Sequence, residues 1–251
     1  MTRTRWSDVA AIALAVAVIA GLVMVSRTAT ATTPAPPAAP TGRSQAVADT
    51  RPSVLFIGDS YTAGSDLPEM SYACMAAVRM GWLCNLSASP GTGYISGGPA
   101  NRFVLDQYSG ESMSFDERIP HLVDRFDPSV VVLDGGRNDL FPPREDVFRA
   151  MTATIADARR TWPAATIIFI RPRFLADPGN DLGFDDAFIA RLEADPAAKG
   201  VIFLDPIAPF AGTDTSALLA TDREHPNLKG ENELAAALVI SLNQRGITTA
   251  P

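Results

Sequence analysis

Apolar and polar positions alternate along most of the chain in blocks of two kinds. Short runs of β-branched and other apolar residues occur at 54–57, 82–87, 130–133, 166–170 and 201–204. The run at 130–133 contains no polar residue, which suits a strand buried on both faces of a parallel sheet. Between these runs lie stretches with helical spacing. At 144–161, Val147, Met151, Ile155 and Ala158 fall on one face. Ser114 followed by Glu117 forms a capping-box pattern before a short helix reaching Phe126. Helices are also expected at 66–80, opened by Asp66 and Pro68 and stopped by Gly81, at 184–194 and at 228–242. Residues 96–110 read as a long irregular connection, in which Phe103, Leu105 and Tyr108 either line a pocket or pack down. Five strands joined by helical crossovers imply an α/β fold, a parallel sheet covered on both faces as a three-layer sandwich.

The first fifty residues follow a different pattern. Arg3 and Arg5 precede an uncharged apolar run at 9–25. That run lies at the lower edge of the about 20 residues needed to span a bilayer. The flanking arginines would hold the N-terminus in the cytoplasm and send the remainder across. An uncleaved anchor is favoured over a signal peptide cleaved near Ala29-Thr30-Ala31, because the run is long for a signal segment. Residues 28–50, rich in Ala, Thr and Pro, have no face to bury and read as a semi-rigid spacer. The chain thus divides into an anchor or signal segment (1–27), a linker (28–50) and a folded domain (51–251). The domain is expected outside the cytoplasm, at the membrane or, with cleavage, secreted.

Composition narrows the chemistry. A net charge of −7 without a basic run argues against a nucleic-acid partner, which needs a cationic face. The two cysteines, Cys74 and Cys84, are expected to form a disulfide outside the membrane. Their spacing does not suit a metal site, and no metal is expected.

Four segments carry candidate chemistry, each beside a strand end or before the last helix. Gly58-Asp59-Ser60 ends the first strand and presents a hydroxyl at the sheet edge, although such a tripeptide is often a mere turn. Gly91-Thr92-Gly93-Tyr94 follows the second, where a backbone N–H can face a ligand. Gly136-Arg137-Asn138-Asp139 follows the third, and Asn138 has an amide to donate. Asp222-Arg223-Glu224-His225 precedes the last helix, with a carboxylate three residues from an imidazole. The chain has two histidines, and His121 lies away from any strand end, so His225 is the candidate base. Asp59 and Asp139 read as loop-holding residues that accept backbone N–H groups. Arg137 reads as one half of an ion pair, with contact to an anionic substrate as the other possibility.

In this order the four segments resemble the SGNH (GDSL-like) serine hydrolases, over about residues 54–242. The resemblance implies a flavodoxin-like strand order 2-1-3-4-5 and a serine ester hydrolase acting through an acyl-enzyme. Ser60 would be the nucleophile, His225 its base and Asp222 the orienting carboxylate. The Ser60 and Gly91 backbone N–H groups and the Asn138 side chain would form the oxyanion hole, with Gly93 as an alternative to Gly91. No cofactor is implied. Tyr61 stands where the family often has leucine. Expected substrates are small acyl esters, lipids or acylated envelope glycans. An acyltransferase on the same scaffold is the nearest alternative, and a non-catalytic carbohydrate-binding domain a more distant one.

Overall fold

A computed structural model describes residues 50–65, 67–106 and 110–248. The N-terminal apolar run, nearly all of the linker, Asp66 and Tyr108 lie outside them. Among the described residues no helix is long and apolar enough to cross a membrane.

Five parallel strands form one sheet. They are β1 (Ser53–Gly58), β2 (Leu83–Ala88), β5 (Val130–Asp134), β6 (Thr166–Ile170) and β7 (Ile202–Leu204), in the spatial order β2-β1-β5-β6-β7. This is the 2-1-3-4-5 order of the flavodoxin-like fold. Between β2 and β5 a small antiparallel hairpin stands apart, formed by β3 (Val104–Asp106) and β4 (Gly110–Glu111). The helices are α1 (Ser60–Ala63), α2 (Tyr72–Arg79), α3 (Phe115–Leu122), α4 (Arg144–Thr161), α5 (Asp186–Glu193) and α6 (Leu228–Gln244).

Alternation along each strand sorts the core into two layers. Val54, Phe56, Val130, Val132, Ile168 and Ile170 face α2 and α6, where Ala73, Ala77, Leu234 and Leu238 meet them. Leu55, Ile57, Val131, Leu133, Ile167 and Phe169 face α3 and α4, packing on Ile119, Val147, Met151 and Ile155. Every residue of β5 is buried, as a run without polar interruption requires.

The helix expected at 66–80 is shorter. A 3₁₀ turn at Pro68–Met70 comes first, and α2 starts only after Ser71, whose hydroxyl accepts the Cys74 N–H. The capping serine sits downstream of the proline, so the helix starts there. The stretch 96–110, read as irregular, contains β3 and the start of β4. Cys74 in α2 and Cys84 in β2 are joined by a disulfide, with Cα atoms 5.3 Å apart.

Parallel register places the carboxyl ends of the strands side by side. Gly58 pairs with Ala88 and with Asp134, and Asp134 pairs with Ile170. Loops leaving these residues therefore converge on one edge of the sheet, where open α/β sheets bind ligands.

Candidate active site

Ser60 is the first residue of α1, directly after β1. The turn is tight enough to exclude a side chain at Gly58, where a Cβ would lie 1.9 Å from Thr62 Oγ1. Asp59 caps α1 by accepting the Tyr61 N–H at 2.9 Å. Both restraints aim Ser60 along the carboxyl edge.

Asp222 and His225 reach the same place from the exposed turn before α6. Asp222 Oδ1 accepts the N–H groups of Glu224 at 3.0 Å and His225 at 3.1 Å. Arg223, with φ of +62°, turns the chain sharply between them. The other carboxylate oxygen lies 2.7 Å from His225 Nδ1, and His225 Nε2 lies 2.8 Å from Ser60 Oγ. Serine, imidazole and carboxylate thus stand in line. The Glu224 N–H, then the His225 ring, pull the Asp222 carboxyl down to about 2, so it is anionic at neutral pH.

The two remaining segments interlock beside this line. Asn138 donates its amide N–H to the Thr92 carbonyl at 2.9 Å, joining the loop after β5 to the loop after β2. Asp139 accepts from the N–H groups of Tyr94, Ile95 and Ser96 and so shapes the second loop, the role read for it from sequence. Gly91 has φ of +74°, a left-handed conformation that favours glycine. The two glycines differ in their amides. The Gly93 N–H donates to the Ser96 carbonyl at 2.9 Å within the loop, which leaves it no hydrogen for an oxyanion. His121 is exposed on α3, away from these groups.

The family is shown by comparison with known proteins. Residues 56–232 match the model of the GDSL-like Lipase/Acylhydrolase family. The chain belongs to that family. It is a serine ester hydrolase of the SGNH type. A GDSL lipase of Mycobacterium tuberculosis is 30% identical over 196 residues, covering 72% of this chain and 78% of that protein. Among solved structures, the psychrotrophic esterase EstA of a Pseudoalteromonas species superposes with a TM-score of 0.57 at 16% identity, covering 77% of this chain and 97% of that one. A family two carbohydrate esterase of Clostridium thermocellum, in complex with cellohexaose, gives a TM-score of 0.57 at 21% identity. It is covered over 65% of its length by 78% of this chain.

Beneath the line of three, the hydrolase carries a buried charged group whose wiring sequence reasoning missed. Arg137, 3% exposed, donates to Asp134 Oδ1 at 3.0 Å and to both oxygens of Asp59, the nearer at 3.2 Å. It is an interior ion pair and has no face for a substrate. Burial opposes its charge, but Asp134 and Asp59 outweigh burial and hold it firmly protonated. Asp134 also accepts hydrogen bonds from the Thr62 and Tyr72 hydroxyls. Tyr61 lies over the guanidinium, with the Arg137 carbon 4.4 Å from the ring centroid. An acidic residue closing an otherwise apolar strand, Asp134 after 130–133, was the available signal.

Proposed function

We propose that this hydrolase cleaves carboxylic esters through an acyl-enzyme on Ser60, outside the cytoplasm. The observation that carries the reading is the line from Ser60 Oγ to His225 Nε2 to Asp222, with gaps of 2.8 and 2.7 Å. With Nδ1–H donating to Asp222, the imidazole offers Nε2 as acceptor. Ser60 Oγ bonds to the ester carbonyl carbon as His225 takes its proton, and Asp222 steadies the imidazolium. The oxyanion receives the backbone N–H groups of Ser60 and Gly91. Asn138 adds a third donor, since its amide has two hydrogens and Thr92 accepts one. Collapse breaks the ester C–O bond, and the leaving alcohol takes the proton from His225. Water then attacks the acyl-enzyme with His225 again as base, releasing the acid and restoring Ser60.

Location rests on the sequence: Arg3 and Arg5 ahead of an apolar run, then a proline-rich spacer. A disulfide suits an oxidising compartment and agrees with that placement. The relatives named as a lipase and as a carbohydrate esterase support acyl esters of lipids or glycans as substrates.

Ser60→Ala tests the reading. The variant should fold, lose turnover of p-nitrophenyl esters and escape labelling by a fluorophosphonate, which should add its mass to wild-type Ser60. Turnover above a few per cent of wild type, in protein free of contaminating esterase, would overturn it.

A further inference from the structure

Arg118, on α3, is 6% exposed and reaches the segments that carry the oxyanion donors. Its Nη2 donates to the Gly58 carbonyl at 3.0 Å and to Thr92 Oγ1 at 3.2 Å, and its Nη1 donates to the Ser87 carbonyl. Gly58 lies two residues before Ser60, and Thr92 directly follows Gly91. The Thr92 hydroxyl gives its one hydrogen to the Ser89 carbonyl at 2.7 Å, so towards Arg118 it is purely an acceptor. The Thr92 carbonyl meanwhile accepts the Asn138 amide at 2.9 Å. One guanidinium thus spans the segments bearing the Ser60 and Gly91 N–H groups, and Thr92 links it to Asn138.

These contacts hold the guanidinium without cancelling its charge. All three acceptors are uncharged oxygens, and among the described residues no carboxylate pairs with Arg118. Its Nε–H is buried without a partner. One face lies on the Phe115 ring, with the guanidinium carbon 4.7 Å from the centroid. Burial pushes the group down to about 10, with the Asp59 charge opposing, so it is cationic at neutral pH. A charge in such surroundings is screened far less than one in water.

The charge answers a local need. The same edge of the sheet buries Asp59, Asp134 and Asp139 against the single charge of Arg137. An oxyanion formed beside Ser60 would meet that negative surplus. Arg118 offsets it behind the donors, as Asp222 steadies the imidazolium at the other end of the line.

We infer that Arg118 is a positioning residue of the oxyanion hole, holding the Ser60 and Gly91 segments in register and supplying a buried positive charge that favours the anion formed there. It acts through Gly58 and Thr92. The inference rests on Ser60 being the nucleophile. Such a charge helps only where negative charge develops, so it should act on kcat and leave KM nearly alone.

Two measurements test this. Arg118→Gln keeps two amide hydrogens near the same acceptors and removes the charge. On p-nitrophenyl acetate it should lower kcat by about tenfold to hundredfold, with KM within about threefold of wild type. Phenylboronic acid bonds through boron to Ser60 Oγ as His225 takes the proton, giving a tetrahedral anion. Its affinity should fall by a similar factor in Arg118→Gln. Unchanged kcat and boronic acid affinity in the folded variant would overturn the inference and leave Ser60 in place. The second measurement uses Arg118→Ala. Guanidinium at millimolar concentration should restore part of the lost kcat, whereas urea, planar and of similar size but uncharged, should not. Equal restoration by both would show that the charge plays no part and overturn the inference. A wild type that neither hydrolyses the ester nor binds the boronic acid would overturn the Ser60 reading and this inference with it.

Discussion

The Tyr61 hydroxyl donates to the carbonyl oxygen of Glu224 across 2.6 Å and accepts the Leu175 N–H at 3.0 Å. One side chain thus ties the residue after Ser60 to the residue before His225, across 163 positions of sequence. Burial pushes this hydroxyl up, so it stays a neutral donor at working pH. The turn it holds is otherwise exposed, from Thr221 through Glu224.

Tyr61→Phe keeps the ring over Arg137 and removes the tether to Glu224 together with the acceptor of the Leu175 N–H. A lost hydrogen bond of roughly 0.5–1.5 kcal/mol, felt in the alignment of His225, should lower kcat by about threefold to tenfold. KM should hardly move, since the hydroxyl faces away from substrate. Steady-state kinetics on one short ester would show it. Equal changes in kcat and in thermal stability alone, with fluorophosphonate labelling at the wild-type rate, would mean that the tether serves folding only.

Asn138→Ala should cut kcat by roughly 10²–10³, the usual loss for one oxyanion donor, with a smaller change in KM. The variant also frees the Thr92 carbonyl, so the loop after β2 should loosen. Asn138→Asp keeps the size of the side chain and withdraws both amide hydrogens, the one given to Thr92 included, so it should be at least as slow. An unchanged kcat in Asn138→Ala, with acylation rate-limiting, would assign Asn138 to the loop alone.

Much of this architecture could be read in the chain. The bounds of α4 follow directly from the spacing of Val147, Met151, Ile155 and Ala158, because one long amphipathic face has a single good period. The five sheet strands are apolar runs with little else they could be. The hairpin of β3 and β4 and the four-residue α1 were not legible, being too short to show any period. The start of α2 was misplaced since Pro68 and Ser71 both carry helix-opening signals, and only the backbone decides between them. At the site, four motifs mark positions that folding brings to one edge. Their support could be read only in part: Arg137 reads as half of an ion pair and Asp134 lies three residues before it, but its other partner, Asp59, is 78 positions away. The Gly91–Gly93 ambiguity likewise turns on a hydrogen bond inside the loop.

Asp59 gives the pH test. Burial, with the nearby Asp134 charge and against the pull of Arg137, raises its carboxyl from 3.8 to about 6. Between those values the folded protein holds a proton that the unfolded chain has released. Stability should therefore decline as pH rises from about 4 to about 6, then level off. Denaturant midpoints across that window should slope downward in the wild type and less so in Asp59→Asn. An identical slope in both would place the proton on another group.

The Cys74–Cys84 bond closes a separation of 10 residues and by loop entropy should stabilise by roughly 2–3 kcal/mol. Cys74→Ala with Cys84→Ala should lower the denaturant midpoint accordingly while leaving the Ser60–His225 line intact. Intact mass before and after alkylation would establish that the bond forms in protein made through a secretory route.

That bond sits on the outermost strand of the sheet, where, among the described residues, β2 has β1 on one side and no strand on the other. A strand so placed is the first to fray, and its bare edge can recruit a strand from another molecule. The loop carrying Gly91 hangs from the far end of the same strand. Peeling at this rim would carry the Gly91 loop away from Ser60. Fastened to α2, the strand cannot leave without taking a core helix with it. A reducing environment should therefore loosen the fold at its margin first, with amide exchange quickening in β2 before it does in β5.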